Sequence, residues 1–399
     1  MIEHNVTTLT DYDVVIAGGG MTGATLAIAL AQLAPAGRPW RIALIEAHQP
    51  QSAHPGFDGR AIALAAGSVD ALQQLKLWSS WLPTAHAIRH IHVSEQGHAG
   101  RVTLSAEEFQ QPALGFVLEL SAAGQRLYEQ LARHTNISHF CPAKLTACMQ
   151  SADSVTLTLS SGEQITTRLL VGADGAQSIL QAQLNLPVAQ HDFQQSAVIT
   201  TLQTEQAVAA RAWERFTPHG PLALLPLGEY MYSVVWCQSP DNAQKTIQLP
   251  DAEFTRQLQQ AFGFRAGRFV QTGARAVYPL ALRYLTQSTH HRVVLLGNAA
   301  HQLHPVAGQG FNLAMRDIMA LRDCLQQVAD PGAYAVLQKY QQRRKDDQQR
   351  TIWFTSALAS LFADPALPLL IARQSGLLLM NHVPALKNAL VQQALGYKS

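Results

Sequence analysis

An α/β (α+β) fold, in which a sheet of apolar strands is interrupted by a strand-rich insertion and closed by C-terminal helices, is predicted by three junctions in this chain. At each junction an apolar run passes straight into a glycine-bearing turn: residues 13–18, residues 164–174 and residues 293–296. Apolar strands that alternate with turns and helical patterns are the signature of a parallel sheet.

The first junction is the most complete. Residues 13–18 (DVVIAG) form a strand, Gly18, Gly19, Gly20, Met21, Thr22 and Gly23 make a G-x-G-x-x-G turn, and residues 24–34 continue as a small-residue helix. A second strand over residues 41–45 ends in Glu46, which follows Gly23 by 23 positions. In a dinucleotide fold Gly18 makes the tight turn, Gly20 admits a pyrophosphate against the backbone, and Gly23 allows helix and strand to pack closely. An acid in the position of Glu46 accepts hydrogen bonds from a ribose 2′-hydroxyl, which favours FAD or NAD over NADP at this turn.

The other two junctions decide between those cofactors. The strand over 164–174 ends in Gly172, Ala173, Asp174 and Gly175, with Ser178 beyond it. The strand over 293–296 leads through His304, Pro305, Gly308, Gln309, Gly310, Phe311 and Asn312 into a helix expected over 311–326. That loop leaves backbone amides at the positive end of a helix, a setting suited to a group that gains negative charge. One simple nucleotide does not need three glycine loops. A cofactor with adenosine, pyrophosphate, ribityl chain and flavin ring does, so FAD is expected.

Read together, residues 18–23, Gly172-Ala173-Asp174-Gly175, and the run from Gly297, Asn298, Ala299, Ala300 and His301 to Asn312 resemble the three fingerprints of the single-component FAD-dependent aromatic hydroxylases. The resemblance covers nearly the whole chain. Within that family it is most similar to the branch that hydroxylates polyprenylated, methoxylated phenols in ubiquinone biosynthesis, supported by residues 58–64, 220–227 and 308–313. It implies a Rossmann-like FAD domain of the aromatic hydroxylase type, O2 and a polyprenyl phenol as substrates, NAD(P)H as co-substrate, and oxygen transfer through a flavin C4a-hydroperoxide. It also implies cofactor roles for Gly297, for Asn298 where the wider family has aspartate, for Arg60, and for Gln125 or Arg126. The amides of residues 308–312 would stabilise charge on the reduced ring, and Pro305 would border it.

A phenol-activating base is sought among His301 and His304, because imidazole titrates in the useful range. Tyr232 and Tyr278 are candidates to hold the substrate hydroxyl. His304, Pro305 and Tyr232 are therefore the catalytic candidates, with a pocket expected from residues 222–227 and 234–236. A rival flavin hydroxylase acting on a small soluble aromatic acid would need an arginine such as Arg211, Arg215 or Arg283. A second rival is a flavoprotein scaffold of a quinone-biosynthesis assembly.

The organisation expected is an FAD domain in three parts (1–75, 121–185 and 291–330), substrate-domain segments over 76–120 and 186–290, and C-terminal helices over 331–399. Short strands are expected over 89–94, 101–105, 114–120, 195–203, 212–216, 222–227 and 231–238, with a helix over 122–134 and a hairpin over 137–160 closed near 161–162. Helices follow over 334–360 and 368–395. No second nucleotide motif lies between 190 and 290, so NAD(P)H would act from a transient site near Asp174.

Composition agrees with such an enzyme. A chain of 399 residues suits linked domains, and its 14% charged and 47% hydrophobic residues suit an oligomer or a lipid-facing side. A net charge of +2 gives no electrostatic case for nucleic acid. Cys141, Cys148, Cys237 and Cys324 lack paired metal-ligand spacing, so no metal is expected and reduced thiols of a cytoplasmic protein are. No secretory signal or bilayer-spanning run is legible. Residues 365–395 combine apolar clusters with Arg373, Lys387 and, beyond them, Lys398. They are a candidate contact with the inner membrane surface, with another quinone-biosynthesis enzyme or with a second subunit.

Overall fold

The computed structural model describes residues 11–49, 59–305 and 308–363, with isolated positions 373, 374, 376, 379, 383, 387, 388 and 396. Asp58 and all but those isolated positions of the helix expected over 368–395 lie outside the described residues.

Among the described residues, eight strands build the first sheet. Its parallel centre runs in the order Val293–Leu295, Gln164–Gly172, Tyr12–Ala17, Ile42–Ile45 and Ile137–Phe140. Val14, Val15 and Ile16 are fully buried because both faces of this sheet are covered. On one face lie the helices Met21–Ala31, Leu120–Leu131 and Gln309–Leu325. The first of these is buried almost all round, and its alanines and Gly23 allow the close approach.

On the other face the hairpin strands Leu145–Gln150 and Val155–Leu159 contribute Leu145, Val155, Leu157 and Leu159 to a second core. Here one expectation is corrected. Ile137–Phe140 pairs in parallel with Ile42–Ile45 and is not an arm of a hairpin. The turn at Ser161 and Gly162 instead joins Val155–Leu159 to Gln164–Gly172.

A second sheet of nine strands runs in the order His301–Gln302, Ala276–Leu285, Val188–Thr204, Met231–Gln238, Gly220–Pro226, Arg211–Thr217, His90–Glu95 and Arg101–Ser105, with Phe269–Thr272 beside Val188–Thr204. Period-two alternation divides its residues between two faces. Val198, Leu202, Trp213, Leu222, Leu224, Tyr232, Val234 and Trp236 pack on Phe254, Leu258 and Phe262 of the helix Asp251–Phe262. That helix and its neighbour Pro240–Ile247 were not expected from sequence.

The opposite, inner face looks toward the first sheet. A small sheet of Ala61–Ala65, Gly115–Glu119 and His86–Ile88 lies between them. There Ala61 and Ala63 meet Ala212, Leu225 and Leu227 in a common apolar cluster.

Candidate active site

The three glycine loops converge. Gly18 has φ +102°, and a Cβ on it would fall 2.5 Å from the Ala173 carbonyl oxygen, so the first loop touches the second. Ala173 N also donates to the Ala17 carbonyl at 2.7 Å. A Cβ on Gly297 would lie 2.8 Å from the Thr22 side chain, so the third loop touches the first helix. A Cβ on Gly308, which has φ +60°, would come within 3.1 Å of Ala63.

The glycines divide by what surrounds them. A Cβ on Gly23 would sit 1.8 Å from the Gly18 carbonyl oxygen, which makes Gly23 a packing residue as expected. By contrast, a Cβ on Gly20 or Gly310 would meet no described atom within 4 Å beyond its own chain neighbours and helix backbone. Their bare backbone faces open space at helix starts, the setting that admits a pyrophosphate and a flavin ring.

Glu46 ends its strand beside the first loop. Its Oε2 accepts from Gly19 N at 2.6 Å and its Oε1 from His48 N at 2.8 Å. These bonds fix the carboxylate at the end of its strand, beside the first glycine loop. Tyr128, from the helix Leu120–Leu131, donates its hydroxyl to the Gly19 carbonyl at 3.1 Å. Burial and the nearby Glu46 carboxylate both hold its phenol well above the ordinary tyrosine range. Sequence reasoning pointed one turn away, to Gln125 and Arg126. Gln125 Nε2 and Arg126 Nη1 instead reach Glu129, at 3.3 and 3.1 Å, on the outside of that helix.

In the second loop Asp174 Oδ2 accepts from Ile179 N at 3.0 Å and so caps the short helix Ile179–Gln183. Burial raises its pKa, against hydrogen bonds that lower it. Arg283 Nη1 donates to the Ala176 carbonyl at 2.8 Å and ties this loop to the second sheet. Asn298 lies exposed in the turn Gly297–Ala299.

The third loop enters the helix Gln309–Leu325 through Gly308 in the left-handed conformation. No acid occupies its first turn, so the helix sets no carboxylate of its own against an anion at those amides. Gln309 is buried and Phe311 is half-buried at that start. Asn312 departs from its expected role, because the protein uses its whole side chain. Its Oδ1 accepts from Ala65 N at 2.8 Å and Ser68 Oγ at 2.7 Å, while its Nδ2 donates to the carbonyls of Ala63 at 2.9 Å and Gly308 at 2.7 Å. The side chain of Asn312 therefore fixes the loop, leaving only its backbone for a ligand.

Arg60, just before the small-sheet strand Ala61–Ala65, reaches the second sheet, with its guanidinium carbon 4.7 Å from the Tyr278 ring centroid. Tyr278 thus stands on the inner face. Tyr232 does not, and its selection as a substrate-holding residue is corrected. It is 2% exposed on the helix-covered face, accepting from Trp213 Nε1 at 3.1 Å. The expected pocket strands are corrected in the same way: Leu222, Leu224, Val234 and Trp236 point into the outer core, while Ala223, Leu225 and Val235 face inward.

His304 is 1% exposed; its Nε2 lies 3.2 Å from Gln195 Oε1 and its ring meets Phe193 edge-on. Burial lowers its pKa to about 4. His304 is therefore a neutral imidazole at neutral pH and a feeble base. His301 is bound to Asp317 and unavailable for substrate. Pro305 accepts at its carbonyl from Gly308 N at 3.0 Å, which holds the loop closed on itself.

A parallel sheet whose three glycine loops meet at the strand ends is the architecture of a flavin dinucleotide enzyme. The chain belongs to the family described as the FAD binding domain, which matches residues 11–355. It is similar to the ubiquinone hydroxylase UbiL of Rhodospirillum rubrum, at 32% identity over 96% of this chain and 89% of that protein. It is also 32% identical to the 3-demethoxyubiquinol 3-hydroxylase of Escherichia coli K12, over 96% of this chain and 98% of that protein. Among solved structures, p-nitrophenol 4-monooxygenase PnpA of Pseudomonas putida superposes with a TM-score of 0.78 at 18% identity, covering 97% of this chain and 99% of that one. FAD is the cofactor, and the chain is an FAD-dependent monooxygenase of the aromatic hydroxylase type.

Proposed function

We propose that this enzyme places a hydroxyl group on a polyprenylated phenol or quinol in ubiquinone biosynthesis, using O2 and NAD(P)H. The observation that carries this reading is the inner sheet face. Ala223, Val235 and Ile199 share that face with Leu225, which packs on Ala61 and Ala63, and together they make an apolar wall suited to an aromatic ring with an isoprenoid tail.

The same face disfavours an aromatic acid. Arg211 stacks on Trp213, and Arg215 reaches toward Ser94 Oγ at 3.5 Å, both on the outer face. Arg283 is engaged with the Ala176 carbonyl. Of the three arginines considered for a carboxylate, Arg211 and Arg215 thus lie on the side away from this wall. The relatives named above, a ubiquinone hydroxylase and a demethoxyubiquinol hydroxylase, support the quinone assignment.

When bound, FAD supplies the reduction of O2 and the electrophilic oxygen. The chain's residues supply placement and a dry site. The open backbone at Gly20 and the Glu46 carboxylate would hold the pyrophosphate and ribose. Asp174 and Asn298 would flank the ribityl region. The amides from Gly308 to Phe311, at the positive end of their helix, would stabilise negative charge on the ring. The buried, uncharged His304 and Phe193 help to exclude water.

Among the described residues no helix is long and apolar enough to cross a membrane. A lipid-tailed substrate would be met by peripheral contact at the inner membrane or by handover from another enzyme of the pathway. The test is direct: purified enzyme, a short-chain prenyl methoxyphenol, and NADH or NADPH in air. Hydroxylated product formed with faster reductant oxidation supports the reading; neither would reject it. A scaffold role would be indicated by Gly20→Ala restoring quinone to a deletion strain as well as wild type.

A further inference from the structure

The inner face of the second sheet carries an acid, Glu214, midway along the strand Arg211–Thr217. In-register pairing aligns Val93, Glu214, Ala223, Val235, Ile199 and Ala276 in one row across the strands. Paired residues point to the same side of a sheet. Glu214 therefore shares its face with Tyr278, two positions along from Ala276, which carries Arg60 from the cofactor side. Trp213 and Arg215, its chain neighbours, point outward.

Glu214 is half-buried, and no described residue gives it a hydrogen bond or an ion pair. Isolated buried acids are costly, and such groups cluster at functional sites. Structural acids in this protein are treated differently. Asp13, Glu95 and Asp317 are each held by arginine.

We propose that Glu214 is the catalytic base that accepts the phenolic proton of the substrate. This inference rests on the phenol reading of the same site. The phenol O–H bond breaks, the proton passes to a Glu214 carboxylate oxygen, and the electron pair remains on the phenolate, which feeds it to the ring carbon under attack. As the ring loses its C–H proton to water and becomes aromatic again, Glu214 returns its proton to the substrate oxygen. The oxidant is the oxygen supplied by the FAD-dependent activity. A neutral phenol suits this base, and an anionic aromatic acid is repelled by it.

The surroundings set its titration. Desolvation pushes the Glu214 carboxyl up to about 7. Cys237, two positions from Val235 on the same face, stays a thiol because burial and Glu214 both raise its pKa. Glu95, in register with Phe216, is held by Arg373 at 2.9 Å. Arg60 lies on Tyr278 at the far end of the face. The helix Tyr334–Ala363 crosses the strand Gly220–Pro226, and its residues 351–358 carry no ionisable group. Deprotonated Glu214 is the active form, so turnover should rise with pH through about 7.

The experiment compares wild type, Glu214→Gln and Glu214→Asp holoenzymes on a geranylated methoxyphenol from pH 5.5 to 9. Equilibrium binding of that phenol and of its O-methyl ether is followed by the FAD absorption band. Wild type should show the rising limb. Glu214→Gln should retain FAD, lose the limb and hydroxylate roughly 100-fold more slowly at pH 8, within the usual range for a lost general base. Glu214→Asp should keep the limb at a reduced rate, and serves if the glutamine variant loses its flavin. An unchanged profile within twofold of wild type in either variant overturns the proposal. If wild type never hydroxylates the phenol, the substrate reading fails. Binding then decides Glu214: a preference for phenol over ether that Glu214→Gln abolishes supports it. A preference left intact, or no binding of either probe, overturns it.

Discussion

His301 Nε2 lies 2.5 Å from Asp317 Oδ2, and this pair joins the two ends of the loop that precedes the flavin helix. His301 begins the strand next to the turn Gly297–Ala299, while Asp317 sits two turns into the helix Gln309–Leu325. Asp317 Oδ1 also accepts from Arg344 Nε at 2.6 Å and Gln348 Nε2 at 3.0 Å, both on the helix Tyr334–Ala363. Three elements are thereby fastened behind the groove at one carboxylate.

Burial alone would raise the Asp317 pKa, but Arg344 and His301 outweigh it and hold the carboxyl down to about 2. A depressed carboxyl contributes stability that is complete above its unfolded value and is lost as pH falls through the folded one. Stability from Asp317 should therefore fade from about pH 4 down to about 2. Asp317→Asn strips buried Arg344 of one of its two carboxylates, Asp347 remaining, and should cost about 1–3 kcal/mol, read by urea unfolding at pH 7. A loss under about 1 kcal/mol would show that the clamp is unimportant.

Two glycines of the first loop should respond in opposite ways to one methyl group. Gly23→Ala drives a Cβ into the Gly18 carbonyl and should impair folding of the apoprotein. Gly20→Ala meets no protein atom, so the apoprotein should melt as wild type does. Crowding of the pyrophosphate by about 1–3 kcal/mol should then weaken FAD binding roughly 10- to 100-fold. Thermal melts with and without FAD separate the two cases.

Tyr232→Phe tests the assignment of sheet faces. Loss of the hydroxyl leaves Trp213 Nε1 without its buried acceptor, which should cost about 1–3 kcal/mol of stability. Hydroxylation should stay within about twofold of wild type in kcat. A tenfold fall in kcat with normal stability would return Tyr232 to the substrate.

His304 has a lowered pKa because burial disfavours its charged form, so the unfolded chain takes up this proton first. Stability due to the neutral ring is complete above roughly pH 6.5 and is lost as pH falls toward 4. His304→Gln should flatten the acid slope of unfolding free energy in that window. The slope of wild type persisting in the variant would contradict this origin.

The three glycine loops were legible in the sequence because each is a local strand-to-helix junction whose backbone needs are written in consecutive residues. Gly18 turns tightly and Gly23 packs helix on strand as that reading expects, and Glu46 ends its strand beside them. Sheet parity was not legible in the same way. Alternation in residues 222–227 and 231–238 separates two faces but does not say which one receives the helix Asp251–Phe262, so Tyr232 was set on the wrong side. Glu214 escaped notice for a related reason, since a lone acid in an alternating strand reads as solvent-facing. Tyr128 and the clasp made by Asn312 depend on partners 109 and about 250 positions away, beyond any local pattern.

Whether the three loops hold one FAD along its length is read from a crystal structure of the FAD-loaded enzyme. The pyrophosphate should lie against the amides following Gly20, the ribose on Glu46, and the flavin ring against residues 308–311 below the inner sheet face. A dinucleotide bound away from Gly20, or a ring remote from Gly308 and Gly310, would contradict this placement.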